Sequence, residues 1–146
     1  MATKKEKAKG FKNKSDLSKD KRNTVDNSDL EIKALTYIQK QNYDSAIEIY
    51  KKLINQKSDN PIVYSNLGSL YWRKGDHEQS KKLINKALKI KPQYPEALNN
   101  LGLIYKKERN FKESMLLFKK AIELNNNYYT AYNNLGSIFF SEGNYE

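Results

Sequence analysis

The 146-residue sequence contains no cysteine, one histidine, three prolines and six glycines. The lack of cysteine excludes a disulfide framework and a thiolate metal site, and it favours a reducing compartment. We therefore predict a cytoplasmic location. Three prolines and six glycines are too few for a fold of many short strands and turns, so the composition favours long helices.

Catalytic and metal-binding groups are equally scarce. A single histidine, His77, cannot form a multi-histidine metal site, and it has no second histidine to act beside it in catalysis. We predict that His77 packs against its neighbours, and that the chain has no catalytic residue, no metal and no cofactor. No apolar run approaches the roughly 18 residues of a transmembrane helix, so we also predict no membrane span.

Positive charge is concentrated at the N-terminus. The net charge is +10, and residues 1–26 carry nine Lys or Arg against four Asp or Glu, which is half of that excess. Beyond Met1, the sizeable apolar residues of this segment are Phe11, Leu17 and Val25. So few apolar side chains cannot offset the entropy lost on ordering, and we predict a disordered basic tail over residues 1–26 that can contact acidic surfaces.

The remaining sequence repeats with a period of 34 residues. The tripeptide Asn-Leu-Gly begins at Asn66, Asn100 and Asn134. With its glycine as position 8, the repeats span residues 27–60, 61–94 and 95–128, and a truncated fourth repeat spans 129–146. Other columns agree: position 11 is Tyr37, Tyr71, Tyr105 and Phe139, and position 20 is Ala46, Ser80 and Ser114. A fixed period of this length is the signature of a solenoid of stacked units.

Each repeat divides into two helices at position 16, where a capping residue recurs as Asn42, Asp76, Asn110 and Asn144. We expect helices over residues 29–40, 44–57, 61–74, 78–91, 95–108, 112–125 and 129–142. Glycine inside a helix costs about 0.5–1 kcal/mol relative to alanine. We therefore predict that Gly68 and Gly102 permit a close approach to the small residues Ser80 and Ser114 of the following helix.

These columns resemble the tetratricopeptide repeat, a 34-residue helix–turn–helix with Leu-Gly at positions 7–8, Tyr at 11 and Ala at 27. The likeness covers residues 27–146. It implies an all-α, right-handed superhelical solenoid of antiparallel helix pairs with about three and a half repeats. Repeat one departs from the pattern at Lys33 and Ala34, where Leu-Gly is expected. Because the fourth repeat stops before its second helix, we expect the chain to be part of a longer protein.

The asparagines carry the functional prediction. In this family the first helices line a concave groove, and the row at position 6 resembles the asparagine ladder of the O-linked N-acetylglucosamine transferase superhelix. An amide both donates and accepts hydrogen bonds, so such a row can bind an extended peptide backbone. The resemblance implies an interaction scaffold with a protein or peptide partner, gripped by Asn66, Asn99, Asn100, Asn133 and Asn134. The simpler alternative is that asparagine is common at position 6 across the family.

The residues argue against another function of this family, the binding of a chaperone's C-terminal carboxylate. The carboxylate clamp of chaperone-binding members is absent, because Glu31, Leu35, Glu96 and Asn100 occupy the positions of its Lys, Asn, Lys and Arg. The rival from another class is the N-terminal, substrate-selecting arm of a longer enzyme, such as a glycosyltransferase. We do not expect nucleic acid as a partner, because only the net charge points to it.

Overall fold

The structure is a computed structural model that describes residues 27–141. The predicted basic tail and residues 142–146 lie outside the described residues. Within 27–141 all regular structure is helical, in seven α-helices whose bounds fall within two residues of the predicted ones. They are α1 (Asn27–Gln39), α2 (Tyr43–Asn55), α3 (Pro61–Arg73), α4 (His77–Ile90), α5 (Pro95–Lys107), α6 (Phe111–Leu124) and α7 (Tyr129–Ser141).

The predicted caps form at two of the three described sites. The side chains of Asn42 and Asp76 accept hydrogen bonds from the backbone N–H groups of the residues three positions later, at 3.2 and 3.1 Å. The prediction was wrong for Asn110, whose side chain makes no capping bond. Its backbone angles match those of Asn42 and Asp76. The turn therefore forms without the side-chain bond. Asn144 lies outside the described residues.

The first helix of each complete repeat ends in the same way. Gln41, Gly75 and Arg109, all at position 15, have φ of 57°, 83° and 60°. The following N–H donates to the carbonyl of the position-11 tyrosine, as from Asp76 to Tyr71 at 3.0 Å. This left-handed termination satisfies orphan carbonyls and reverses the chain within a few residues. The tight turn makes the two helices of a repeat antiparallel neighbours.

The glycines mark where the paired helices come closest. A Cβ added to Gly68 would lie 2.8 Å from Ile84 Cγ1 and 3.2 Å from the Ser80 carbonyl oxygen. A Cβ on Gly102 would lie 2.6 Å from the ring of Phe118. The predicted close approach is therefore present, but the nearest side chains come from position 24 rather than position 20. At position 20, Ser114 Oγ instead donates a hydrogen bond of 2.7 Å to the Gly102 carbonyl.

Neighbouring hairpins then pack into one solenoid of about three and a half repeats. The helix order along the stack is that of the chain, since α2 contacts α3, α4 contacts α5 and α6 contacts α7. Position 24 fills the centre of each repeat with Tyr50, Ile84 and Phe118, all of which are fully buried. Because a single hairpin cannot bury its apolar face alone, each repeat depends on its neighbours for a core.

The two glycines offer a matched test of this packing. Gly102→Ala should lower the free energy of unfolding by about 1–3 kcal/mol, because the new methyl group meets the buried Phe118 ring. Gly136→Ala should instead raise the free energy of unfolding by about 1 kcal/mol, through the higher helix propensity of alanine. Nothing among the described residues lies within 4 Å of the Cβ added at this position. Urea unfolding followed by circular dichroism measures both. Equal shifts of the two midpoints would contradict the packing explanation.

The position-34 tyrosines, Tyr94 and Tyr128, lie between repeats and give a pH prediction. Burial, with a smaller contribution from the charge of Glu96, raises the pKa of Tyr128 to about 12, against an ordinary value of 10.0. The folded state thus keeps a proton that the unfolded state loses above about pH 10. Stability should fall between about pH 10 and 12, and less so in Tyr128→Phe. Urea unfolding of the wild type and of Tyr128→Phe between pH 7 and 12 measures this, with each free energy of unfolding compared with its value at pH 7. An equal loss of stability in the two proteins would contradict the prediction.

Candidate functional site: the concave face of the first helices

The first helices of repeats two, three and four lie side by side and form one surface. α3 contacts α5 and α5 contacts α7, and these contacts are more extensive than any between successive second helices of the described chain. Helices that lie closer together line the inner side of a curved stack. The first helices therefore form the concave face. Residues at positions 2, 6, 9 and 13 share one side of each helix, because they are spaced by three or four residues.

Hydrogen bonds connect the position-6 asparagines to the neighbouring repeat. Asn66 Nδ2 donates to the Tyr50 hydroxyl at 3.0 Å, and Asn100 Nδ2 donates to Ser69 Oγ at 2.9 Å. Asn134 Nδ2 donates to Asn99 Oδ1 at 2.8 Å. Each bond runs back to the preceding repeat, so the amides are held in a fixed orientation along the stack.

The three position-6 amides keep unused hydrogen-bonding capacity. Asn66, Asn100 and Asn134 are half-buried, and each uses one N–H inside the protein. Their side-chain oxygens accept no hydrogen bond from the residues that the structure describes. Each amide can therefore still offer an acceptor and a second donor to a ligand. Burial raises the pKa of the Tyr50 hydroxyl under Asn66, and the bond to Asn66 partly offsets this rise.

The structure separates the two remaining asparagines of the predicted site. Asn99 is only 2% exposed, and its side-chain oxygen is occupied by Asn134. Asn133 is exposed on α7. Asn99 therefore lies beneath the surface and supports Asn134, whereas Asn133 is open to a ligand. Both stand at position 5, so the repeat position alone does not determine whether the side chain is buried.

Several concave residues were missed by the sequence argument. Position 9 contributes Ser69, Leu103 and Ser137, and position 12 contributes Lys106, whose Nζ donates to Ser137 Oγ at 2.6 Å. The signal was available for position 9, which follows the asparagines by three residues on the same side of each helix. Their partners across the groove, however, depend on how neighbouring helices are spaced, and no periodicity in the sequence gives that spacing.

The groove changes character at repeat one. Here Ile32 and Leu35 occupy positions 6 and 9 and are 63% and 46% exposed. The neighbouring Glu31 accepts two hydrogen bonds from Asn60 Nδ2, at 2.8 and 3.0 Å. The amide row thus begins at repeat two. His77 lies at the start of α4, where its ring packs 4.3 Å from that of Trp72.

Two family profiles match this repetitive pattern. One, described as TPR repeat, matches residues 34–75, and the other, described as tetratricopeptide repeat, matches residues 59–127. Together they span more than half of the chain. The chain belongs to the tetratricopeptide repeat family. No curated protein matches this TPR chain, and the narrower likeness to the O-linked N-acetylglucosamine transferase superhelix stays a prediction.

Solved TPR domains share the fold. The first TPR of Spaghetti (RPAP3), bound to the HSP90 peptide SRMEEVD, is 23% identical with a TM-score of 0.74, covering 83% of this chain and 96% of that one. The Sgt2 TPR domain from Aspergillus fumigatus is 24% identical with a TM-score of 0.72, covering 84% of each chain. MamA is 21% identical with a TM-score of 0.72, covering 89% of this chain and 75% of its own.

In the part of the TPR chain that the structure describes, no helix has the length and apolar character needed to cross a membrane. The His, Cys, Asp and Glu side chains of the same residues form no group of three or more that could hold a metal ion.

The buried support for Asn134 can be tested with a matched pair. Asn99→Ala removes the acceptor of the Asn134 amide and should cost about 0.5–1.5 kcal/mol for the lost hydrogen bond. Asn133→Ala, one residue from Asn134 but exposed, should leave stability unchanged. Urea unfolding measures the stability, and side-chain amide signals in NMR should show faster exchange at Asn134 in Asn99→Ala alone. Similar behaviour of both variants would contradict the support role.

Proposed function

We propose that this TPR chain is a non-catalytic protein–protein interaction scaffold that binds an extended segment of a partner protein in its concave groove. The observation that carries the proposal is the oriented row of Asn66, Asn100 and Asn134, each with an unused acceptor and donor. Successive backbone amides of an extended peptide present the complementary groups. Binding through the backbone would tolerate many different side chains in the partner segment.

The form of the groove supports this proposal. The amides are tied to neighbouring repeats, so little side-chain entropy remains to be lost when a peptide binds. The Spaghetti TPR domain, which shares this fold, was solved bound to an HSP90 peptide. In our proposal Asn66, Asn100, Asn133 and Asn134 contact the partner, and Asn99 acts through Asn134.

The other predictions from the sequence are also proposals. A partner that is protein rather than nucleic acid, a cytoplasmic location and a basic tail over 1–26 that contacts acidic surfaces are proposals from the sequence. So are the solenoid domain over 27–146 and the second candidate function, the substrate-selecting arm of a longer enzyme. That second function would use the same groove. The described residues support binding in the groove and do not distinguish the two functions.

The test uses a display library of random twelve-residue peptides selected against the whole chain. The triple variant Asn66→Ala, Asn100→Ala, Asn134→Ala should bind the selected peptides about a hundredfold more weakly, at about 0.5–1.5 kcal/mol per hydrogen bond. A matched triple at exposed asparagines away from the first helices, Asn55→Ala, Asn85→Ala, Asn126→Ala, should bind normally. Circular dichroism confirms that both variants are folded.

The dependence of peptide binding on salt concentration distinguishes binding in the groove from binding to the basic surface. Binding that is carried by clustered lysines falls steeply as salt screens the charges, and it would not respond to the asparagines. Binding by the amide row should persist at high salt. If the triple variant binds like the wild type while high salt abolishes binding, the groove proposal is wrong and the positively charged surface is the binding site.

A further inference from the structure

A second groove opens on the outer side of the solenoid, between the second helices of repeats one and two. Because the first helices form the concave face, the second helices α2 and α4 lie on the convex side. These two helices make few direct contacts with each other, whereas each packs against α3 behind them. The space between them has a volume of about 260 Å³. This outer groove is therefore separate from the amide row.

The floor of the outer groove is apolar and continuous with the core. Leu67 and Tyr71 of α3, Ile54 of α2 and Leu83 of α4 line it. Leu67 is only 2% exposed, and the other three side chains are half-buried and pack against the core. An apolar group that covers this floor removes hydrocarbon surface from water. Because the core already holds these side chains, they lose little conformational freedom in the process.

The edges of the outer groove are polar and positively charged. Lys51 and Asn55 line the α2 edge, and Gln79 lines the α4 edge. Lys86 follows Leu83 by three residues and Gln79 by seven, so it lies on the same side of α4. Lys51 and Lys86 are both exposed. An apolar floor thus runs between two lysines, one on each helix.

The two lysines have little compensation from the protein itself. Lys86 forms no ion pair with a carboxylate of the described residues. Lys51 Nζ lies 3.6 Å from Glu48 Oε1, but both side chains are exposed, and such pairs contribute little. Charge complementarity therefore favours acidic groups in whatever binds over this floor.

The corresponding groove between α4 and α6 has a different chemistry. There Lys81 Nζ lies 4.4 Å from the centre of the Tyr105 ring and donates to Glu108 at 2.8 Å. Position 19, an uncharged glutamine in the outer groove, is Glu113 in that one. Tyr71, the counterpart of Tyr105, has no cation over its ring among the described residues. The groove between α2 and α4 is therefore the more open and the less acidic of the two.

The size and charge of the outer groove limit its occupant. A cavity of about 150 Å³ can hold benzene, so a groove of about 260 Å³ has room for an aromatic side chain. The chain itself has a net charge of +10, and residues 1–26 carry nine Lys or Arg against four Asp or Glu. A second copy of the chain, or its own N-terminal segment, would bring positive charge to positive edges. A different, acidic protein fits better.

We propose that the outer groove is a second docking site, which takes an aromatic side chain of a partner protein flanked by Asp or Glu residues. The aromatic ring covers Tyr71 and Leu83, and the carboxylates pair with Lys51 and Lys86. The site lies on the opposite side of the solenoid from the amide row. The inference therefore goes beyond the proposed peptide groove and does not depend on it, and the scaffold holds one partner on each face.

The peptide selection against the whole chain also supplies the probe for this site. Selected peptides that bind the triple asparagine variant as tightly as the wild type do not use the amide row. We expect these asparagine-independent peptides to contain an aromatic residue with Asp or Glu beside it. Replacing the aromatic residue by alanine should weaken binding about tenfold or more, as for an aromatic anchor in an interface. Raising the salt concentration should also weaken it.

Charge reversal at the edges has a matched control on the same two helices. Lys51→Glu with Lys86→Glu should weaken the asparagine-independent peptides about tenfold at low salt. The control, Lys52→Glu with Lys89→Glu, makes the same change of charge at exposed lysines and should weaken them far less. Lys52 does not line the outer groove, and Lys89 stands on α4 where Asn55 stands on α2, facing the following repeat. Circular dichroism confirms the fold of both variants.

A bulky residue in the outer groove should compete with the partner. Gln79→Trp places an indole over the apolar floor and should weaken the same peptides about tenfold or more. Glu113→Trp makes the equivalent change at position 19 of the next repeat and should not weaken them. If Gln79→Trp does not fold, NMR of the wild type decides. Methyl signals of Ile54 and Leu83 should shift when a peptide is added, and those of Leu103 on the concave face should not.

The other outcomes overturn the proposal without affecting the amide row. The docking site is wrong if no selected peptide is independent of the asparagines, or if both lysine pairs have equal effects. Basic rather than acidic peptides would assign the groove to a segment like the N-terminal one. A dimer in sedimentation velocity that Gln79→Trp abolishes would assign it to a second copy. Conversely, if only asparagine-independent peptides are selected, the concave groove function fails and the outer site stands.

Discussion

The close approach of the two helices within repeats two and three is the contact on which the rest of the structure depends. It requires Gly68 and Gly102, since a Cβ at either position would overlap the residue at position 24 of the following helix. Overpacking of this kind is costly, because cores are packed at crystal-like density. The short distance allows one large side chain per repeat to fill the centre.

That central side chain also connects the core to the concave face. In repeat one, position 24 is Tyr50, which is fully buried, yet its hydroxyl accepts the amide of Asn66 in the next repeat. Farther along, the same role passes to residues of the first helices, where Ser69 and Asn99 hold Asn100 and Asn134. Each repeat thus orients the binding groups of its successor. A solenoid with such nearest-neighbour coupling forms its groove only when the repeats stack.

The amide row and the corresponding face of repeat one differ in chemistry. Amides with unused donors and acceptors match any peptide backbone, so alone they give affinity with little selectivity. At the same positions of repeat one, Ile32 and Leu35 are apolar and exposed. The amide row therefore does not continue into repeat one.

The sequence by itself determined the helices and the face on which the asparagines lie. A period of 34 residues, with glycine and tyrosine in fixed columns, is a local signal that survives in one chain, and helical spacing places positions 6 and 9 together. The tertiary structure decided which of these groups are open. Asn99 is buried and Asn133 exposed, although both occupy position 5 of their repeats. It also decided that Ser69 of one repeat meets Asn100 of the next. Such contacts depend on distances between helices far apart in the chain, which no repeat pattern specifies.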